Sequence, residues 1–264
     1  MIDVIIFSKD RPCQLDALLR SLQVKMKVKY KCSILFKSSH SSFTKGYDQL
    51  FKHTSAPLFL THEIDFKDDF LNILKEVKSE QLMFLVDDII FKQDILYDDI
   101  FKEFEFNKNI LALSLRLGKN ITYCYTRHKS TIPPKFKGMF NTWIWKDASN
   151  GYWDYPMSVD GTIFRTGEII SLIRRIKFGG PNILENELSK KPLPAPLMIC
   201  YDKSKLVNLA LNKVHNFPNR CGKISQEFLN RLWLSGQRIC LDPIYSMEHN
   251  ACHAEVELLF EDIQ

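Results

Sequence analysis

The sequence predicts an α/β fold, a three-layer sandwich around a mostly parallel, mixed central sheet. Three observations lead there. Short apolar runs recur at 4–7, 32–36, 58–61 and 82–86, each of strand length and without a polar face, as strands covered on both sides read. The segments between them carry apolar residues at helical spacing, so strand and helix alternate as in a parallel sheet with right-handed crossovers. Two adjacent carboxylates, Asp87 and Asp88, follow directly on the last of the four runs. Open α/β sheets bind their ligands at that edge.

The first strand ends in Ser8-Lys9-Asp10-Arg11-Pro12, and Leu15, Leu18, Leu19 and Leu22 follow at helical spacing, which puts Pro12 in the first turn of a helix. After the second strand, a Ser-rich loop at 38–42 leads to a short helix with Tyr47, Leu50 and Phe51. After the third, Asp65 caps a helix carrying Phe66, Phe70, Ile73, Leu74 and Val77 on one face. No Gly-x-Gly-x-x-Gly or P-loop pattern follows any strand, so a metal held by Asp88 is the substitute for a glycine-rich phosphate cradle. Further on, 197–201 reads as a strand. Ile224, Phe228, Leu229 and Leu232 form a helical stripe stopped by Gly236, and 238–241 reads as a last strand.

A length of 264 residues with 45% hydrophobic and 25% charged residues suits one large soluble domain. No signal peptide or bilayer-length apolar run is present, which predicts a cytoplasmic protein. The net charge of +5 comes partly from the alternating Lys25, Lys27, Lys29 and Lys31. That face leaves room for peripheral membrane association, but it lacks the clustered basic footprint of a nucleic-acid binder. Seven cysteines with no Cys-x-x-Cys read as reduced thiols, and His249, Cys252 and His253 lack a second zinc-spaced ligand pair.

Between positions 127 and 156 the chain is irregular, with Pro133, Pro134, Gly138, Gly151 and Pro156 among Trp143, Trp145, Tyr152, Trp153 and Tyr155. Aromatic rings in a long loop suit the C–H faces of sugars, which makes Trp143, Trp153 and Tyr155 acceptor-platform candidates. The other reading of Trp143 and Trp145 is one face of a buried strand.

Taken in order, Ser8-Lys9-Asp10-Arg11, Val86-Asp87-Asp88, Ser158-Val159-Asp160-Gly161 and Gly179-Gly180 followed by Glu185-Asn186-Glu187 resemble the GT-A glycosyltransferases, the nucleotide-diphospho-sugar transferase fold. Within it the chain is similar to the large inverting family 2. The resemblance covers about residues 1–200 and implies one Rossmann-like GT-A domain over residues 1–264, with 1–125 the nucleotide-sugar-binding half and 126–264 the acceptor half. It implies a nucleoside-diphosphate sugar donor, a glycan, lipid-linked sugar or protein acceptor, and Mn²⁺ or Mg²⁺. Ser8, Lys9, Asp10, Arg11, Ser38, Tyr47 and Asp87 would contact the nucleotide, and Asp88, Asp87 and His249 the metal, with His253 a weaker candidate. The chain departs from the family where Asn186 replaces the usual base aspartate of Glu-Asp. Asn186 cannot accept a proton, so the base falls to Glu185, with Glu187 and Asp160 as alternatives. A retaining transferase and a non-catalytic nucleotide-sugar-binding module are the other readings.

Overall fold

The computed structural model describes residues 1–54, 56–148, 151–214 and 220–263. The first part runs β1 (Ile2–Lys9), α1 (Pro12–Lys25), β2 (Tyr30–Lys37), α2 (Ser41–His53), β3 (Leu58–His62), α3 (Phe66–Lys75), β4 (Gln81–Val86), β5 (Ile89–Phe91), α4 (Asp99–Phe106) and β6 (Ile110–Ser114). The strand-helix alternation expected from the apolar runs is present, with Pro12 in the first turn of α1 and Asp65 capping α3 by accepting from Asp68 N at 2.9 Å.

The rest adds the small hairpin β7 (Tyr123–Cys124) and β8 (Lys129–Ser130), then β9 (Asn141–Ile144), β10 (Thr162–Arg165), α5 (Thr166–Ile173), α6 (Pro181–Ser189), β11 (Leu197–Cys200) and β12 (Leu206–Leu209). It closes with α7 (Gln226–Leu234), β13 (Gln237–Ile239), α8 (Asp242–Ser246), β14 (His253–Ala254) and β15 (Phe260–Asp262).

The central sheet has eight strands in the order β3-β2-β1-β4-β10-β6-β11-β9, taken from both sides of position 125. β1, β2, β3 and β4 are mutually parallel, and so are β6 and β11, whereas β10 runs antiparallel between β4 and β6. This is the mixed, mostly parallel sheet the sequence predicts. Both faces are covered. Along β1, Ile2, Val4 and Ile6 join Leu15, Leu18 and Leu22 of α1 in one core cluster. Ile5 and Phe7 join Phe66 and Phe70 of α3 in the other. The alternation follows from the two-residue period of a strand, and each large side chain so buried contributes about 1.5–3 kcal/mol.

Trp143 lies in β9 and Trp145 begins a short 3-10 turn, so the strand reading holds for Trp143. Residues 149 and 150 of the aromatic segment lie outside the described residues.

A second sheet, β14-β12-β5, is built on the strand after Asp88. Pairing of Asn208 with Ile89 on one side and His253 on the other carries late residues to the edge where β4 ends. Gly161 makes the turn into β10. Its φ is +76°, and a Cβ there would lie 2.3 Å from Leu206 Cδ2, so both the backbone conformation and the space require glycine. Gly161→Ala should therefore lower stability by about 1 kcal/mol or more, a fall in melting temperature of about 2–4 °C per kcal/mol, read by thermal denaturation.

Candidate functional site

β1 and β4 lie side by side, with Phe7 opposite Val86, so their carboxyl ends present Ser8 and Asp87 together. Asp87 Oδ2 accepts from Ser8 Oγ at 2.9 Å and from Lys9 N at 3.0 Å. Arg11 Nη1 donates to Asp87 Oδ1 at 2.9 Å and to Asp88 Oδ2 at 3.1 Å. Its other nitrogens reach Asn212 Oδ1 at 2.8 Å and Asn212 O at 2.6 Å. Burial works against the Arg11 charge, but Asp87 and Asp88 outweigh it and raise its pKa above the ordinary value. Asp88 is different. Burial pushes its carboxyl up to about 7 with Asp87 and Asp160 adding to the effect, against the pull of Arg11.

This cluster forms one wall of a cleft of about 610 Å³, within the range of small-ligand sites. The first loop lines it with Ser8, Lys9 and Arg11, and Lys37, Glu63 and Phe66 extend that side. Arg116, Tyr155, Asp160, Gly179, Gly180 and Glu185 complete the lining. Arg116 Nη1 lies 3.3 Å from Asp160 Oδ2. Glu185 Oε1 accepts from Val159 N at 3.0 Å, and Tyr155 lies close enough for the Glu185 charge to help raise the pKa of its phenol. Burial, with Asp160 second, pushes the Glu185 carboxyl up to about 7 despite Arg116. His253 also lines the cleft, 3.7 Å from Asp160. Burial drives its pKa down to about 4 over the opposing pull of Asp160, so the ring is neutral at physiological pH.

Of the residues expected at the site, Ser8, Lys9, Arg11, Asp87, Asp88, Tyr155, Asp160 and Glu185 line this one cleft. Others lie elsewhere. Asp10 turns away at φ +57° and clips the next loop, accepting from Ser39 N at 2.7 Å and Ser39 Oγ at 2.8 Å. Ser38 is directed outward to Thr44 and His62. Tyr47 is buried beneath the first loop, where its hydroxyl holds Ser8 Oγ at 2.7 Å and Arg11 N at 3.2 Å. Asp10, Ser38 and Tyr47 thus shape the loop without lining the cleft.

Trp143 and Trp153 are each 1% exposed and packed edge to face at 5.1 Å, so they are core residues and offer no ring face to an acceptor. Glu187 pairs with Lys190 at 2.5 Å and lies outside the cleft, because residues two apart on a helix point in nearly opposite directions. His249 is also outside it, with Nε2 against Ser204 Oγ at 2.8 Å and Nδ1 facing Lys92 Nζ at 3.4 Å, an ammonium that disfavours a metal cation.

The sequence reading missed Arg116, Asn208, Lys37 and Glu63. Arg116 had a signal, since it closes the apolar run at 110–115 as Asp87 closes the run at 82–86. Asn208 had none, because only its pairing opposite Ile89 brings it to Asp88.

Asn208 matters for a metal. Its Nδ2 donates to Asp88 Oδ1 at 3.2 Å, and its Oδ1 is buried with no partner among the described residues. A carboxylate and an amide oxygen are donors that suit a hard divalent cation. Asp87 is the more engaged of the two acids, accepting three hydrogen bonds at 2.9–3.0 Å, whereas each oxygen of Asp88 accepts one, at 3.1 and 3.2 Å. Among the described residues no three His, Cys, Asp or Glu side chains converge. The remaining ligands would be substrate oxygens and water.

No family model matches the chain. Over 194 residues, 66% of its length, it is 28% identical to the bifunctional glycosyltransferase pgtA of Dictyostelium discoideum, of which it spans 25%. It superposes on S. aureus TarS 1–349 with a TM-score of 0.50 at 12% identity, covering 80% of this chain and 60% of that one. The same TarS fragment in complex with UDP-GlcNAc gives a TM-score of 0.45 at 12% identity, with coverages of 75% and 58%. The chain therefore spans less than two thirds of each of these relatives. It has the GT-A fold and resembles the glycosyltransferases, as the motif order implies.

A half-buried carboxyl held near 7 has a consequence for stability. The native state binds the Glu185 proton more tightly than the unfolded chain does, so stability falls as pH rises from the ordinary glutamate value through 7. Glu185→Gln should melt higher than the parent at pH 8, by about 2 °C or more, and the gain should vanish by about pH 4.5 in paired thermal melts.

Proposed function

We propose that this chain is a glycosyltransferase that moves a sugar from a nucleoside-diphosphate donor to a hydroxyl of a glycan, lipid-linked sugar or protein, with inversion. The observation that carries the reading is Glu185, a half-buried carboxylate held near 7 that lines the same cleft as the Arg11–Asp87–Asp88 cluster. A general base works best with a pKa near the operating pH.

Lys9 and Arg11 face the diphosphate, and Lys37, Glu63 and Phe66 lie towards the nucleoside end. Asp160 accepts from a hydroxyl of the donor sugar. Glu185 takes the proton of the acceptor hydroxyl as its oxygen attacks the anomeric carbon. The new C–O bond forms on the face opposite the one that breaks, and the electron pair of the broken bond leaves with the diphosphate. Arg11 and Lys9 lower the energy of that growing charge, as fixed donors do in a water-poor site. Asp88 and Asn208 would hold Mn²⁺ or Mg²⁺, whose chemistry there is Lewis-acid stabilisation of the departing diphosphate. Tyr155 replaces the two tryptophans as the aromatic beside the base.

The seven cysteines are all free, which supports a reducing, cytoplasmic setting. Among the described residues no helix is long and apolar enough to cross a membrane.

Incubation with UDP-, GDP- and dTDP-sugars should release nucleoside diphosphate from one class, and the product anomer should be inverted by NMR. Glu185→Gln should lower kcat about 10²–10⁴-fold while donor binding, read by thermal shift, persists. Asp88→Asn should lower both transfer and the metal-dependent part of that shift. Full transfer by Glu185→Gln would remove Glu185 from the role of base.

A further inference from the structure

We propose that Arg116 is a positioning residue: by pairing with Asp160 it divides the two carboxylates of the far wall into a fixed anion and a proton acceptor, Glu185. The proposal deepens the transferase reading and rests on it for the naming of the base. Arg116 follows β6 and is 3% exposed. Its Nη1 lies 3.3 Å from Asp160 Oδ2, and its guanidinium sits over the Tyr152 ring at 5.2 Å. Among the described residues no ion pair to Glu185 forms; that carboxylate has the Val159 N–H at 3.0 Å in its place. The cation is therefore shared unequally between two acids that interact with each other.

Two buried carboxylates without a cation share protons, and neither is then reliably ionised at neutral pH. One cation closer to one of them separates their roles. The groups that face the pair fit this division. Glu185 is met by Ser158 and Val159 N from the turn before β10, by Tyr155 from the aromatic segment, and by Asp160 and Arg116. Asp160 is met by Arg116, by the neutral His253 at 3.7 Å, and at longer range by Asp88. Arg116 is thus the one cation among the groups that the described residues set against Glu185. Burying a guanidinium is costly, and its Nη2 has no partner among the described residues, so packing alone does not account for it.

The test is the titration of Glu185 in ¹³C-labelled protein, followed by carboxyl NMR in the parent, Arg116→Lys, Arg116→Met and Asp160→Asn. Arg116→Met should move Glu185 upward by about one pH unit or more, and Arg116→Lys should largely restore it. Asp160→Asn, which leaves Arg116 with Glu185 alone, should move Glu185 downward. Where transfer is measured, the acid limb of kcat/KM should follow the same shifts, with about a tenfold loss at pH 6.5 in Arg116→Met that recovers by pH 8.5.

An unmoved Glu185 in both Arg116→Met and Asp160→Asn would overturn the assignment. Should Arg116→Met fail to fold, Asp160→Asn and Arg116→Lys decide by the same titration. A parent without transfer or donor hydrolysis removes the transferase reading instead, and the NMR shifts still report whether Arg116 separates the two acids.

Discussion

The site depends on a buried three-charge cluster, Arg11 with Asp87 and Asp88, closed at 2.9 and 3.1 Å. Removing charges from water costs several kcal/mol per ion unless each finds partners, and a broken buried pair costs about 3–5 kcal/mol. The groups around Arg11 and Asp87 answer that demand. Ser8 Oγ and Lys9 N take the remaining acceptor sites of Asp87, and Asn212 takes two more guanidinium nitrogens. Tyr47, 1% exposed, fixes the loop from beneath through Ser8 and the Arg11 backbone. The ends of β1 and β4, helix α2 and the segment at 212 are thereby locked to one another. The loop that would meet a diphosphate is preorganised before any ligand binds, which lowers the cost of ordering it later.

The two walls of the cleft solve the same electrostatic problem differently. On the near wall, two acids share one well-placed arginine, and Asp87 is held by hydrogen bonds to both of its oxygens. On the far wall, Arg116 lies against Asp160 and leaves Glu185 with a backbone N–H. Burial then dominates at Glu185 and keeps its proton affinity high. That is a stability defect and a chemical asset at once, since a carboxyl that destabilises the fold above pH 7 is also poised to accept a proton there. Active sites accumulate such groups, and the stability that removing them restores is the usual counterpart of lost activity.

His253 and Asn208 show how far chain order and site order diverge. Through the three-stranded sheet on β5, Asn208 reaches Asp88 from 120 positions downstream and His253 reaches Asp160 from 93. Gly161 makes the same join possible at the turn before β10, where Leu206 of β12 fills the space a side chain would need. The antiparallel insertion of β10 brings Asp160 to the edge where Asp87 ends β4, and α6 then sets Glu185 against it.

By itself the sequence determined the layered α/β architecture, the parallel order of the first four strands and the edge at which Ser8, Arg11, Asp87 and Asp88 meet. Those follow from local rules: apolar runs of strand length, helical spacing between them, and polar residues where a buried strand ends. The resemblance to the GT-A transferases, with Asn186 where they have an aspartate, made Glu185 the first candidate for the base, ahead of Glu187 and Asp160. Only the tertiary structure decided which of the remaining candidates share the cleft. Trp143 and Trp153 look alike to any loop rule, yet they went to the core because their rings fill each other's space there. Glu187 and His249 found partners elsewhere, and Asn208, unremarkable in sequence, was carried to Asp88 by strand pairing. The physical reason is range: backbone propensity and hydrophobic period act over a few residues, whereas the partners of a buried charge are chosen by long-range pairing that no local pattern encodes.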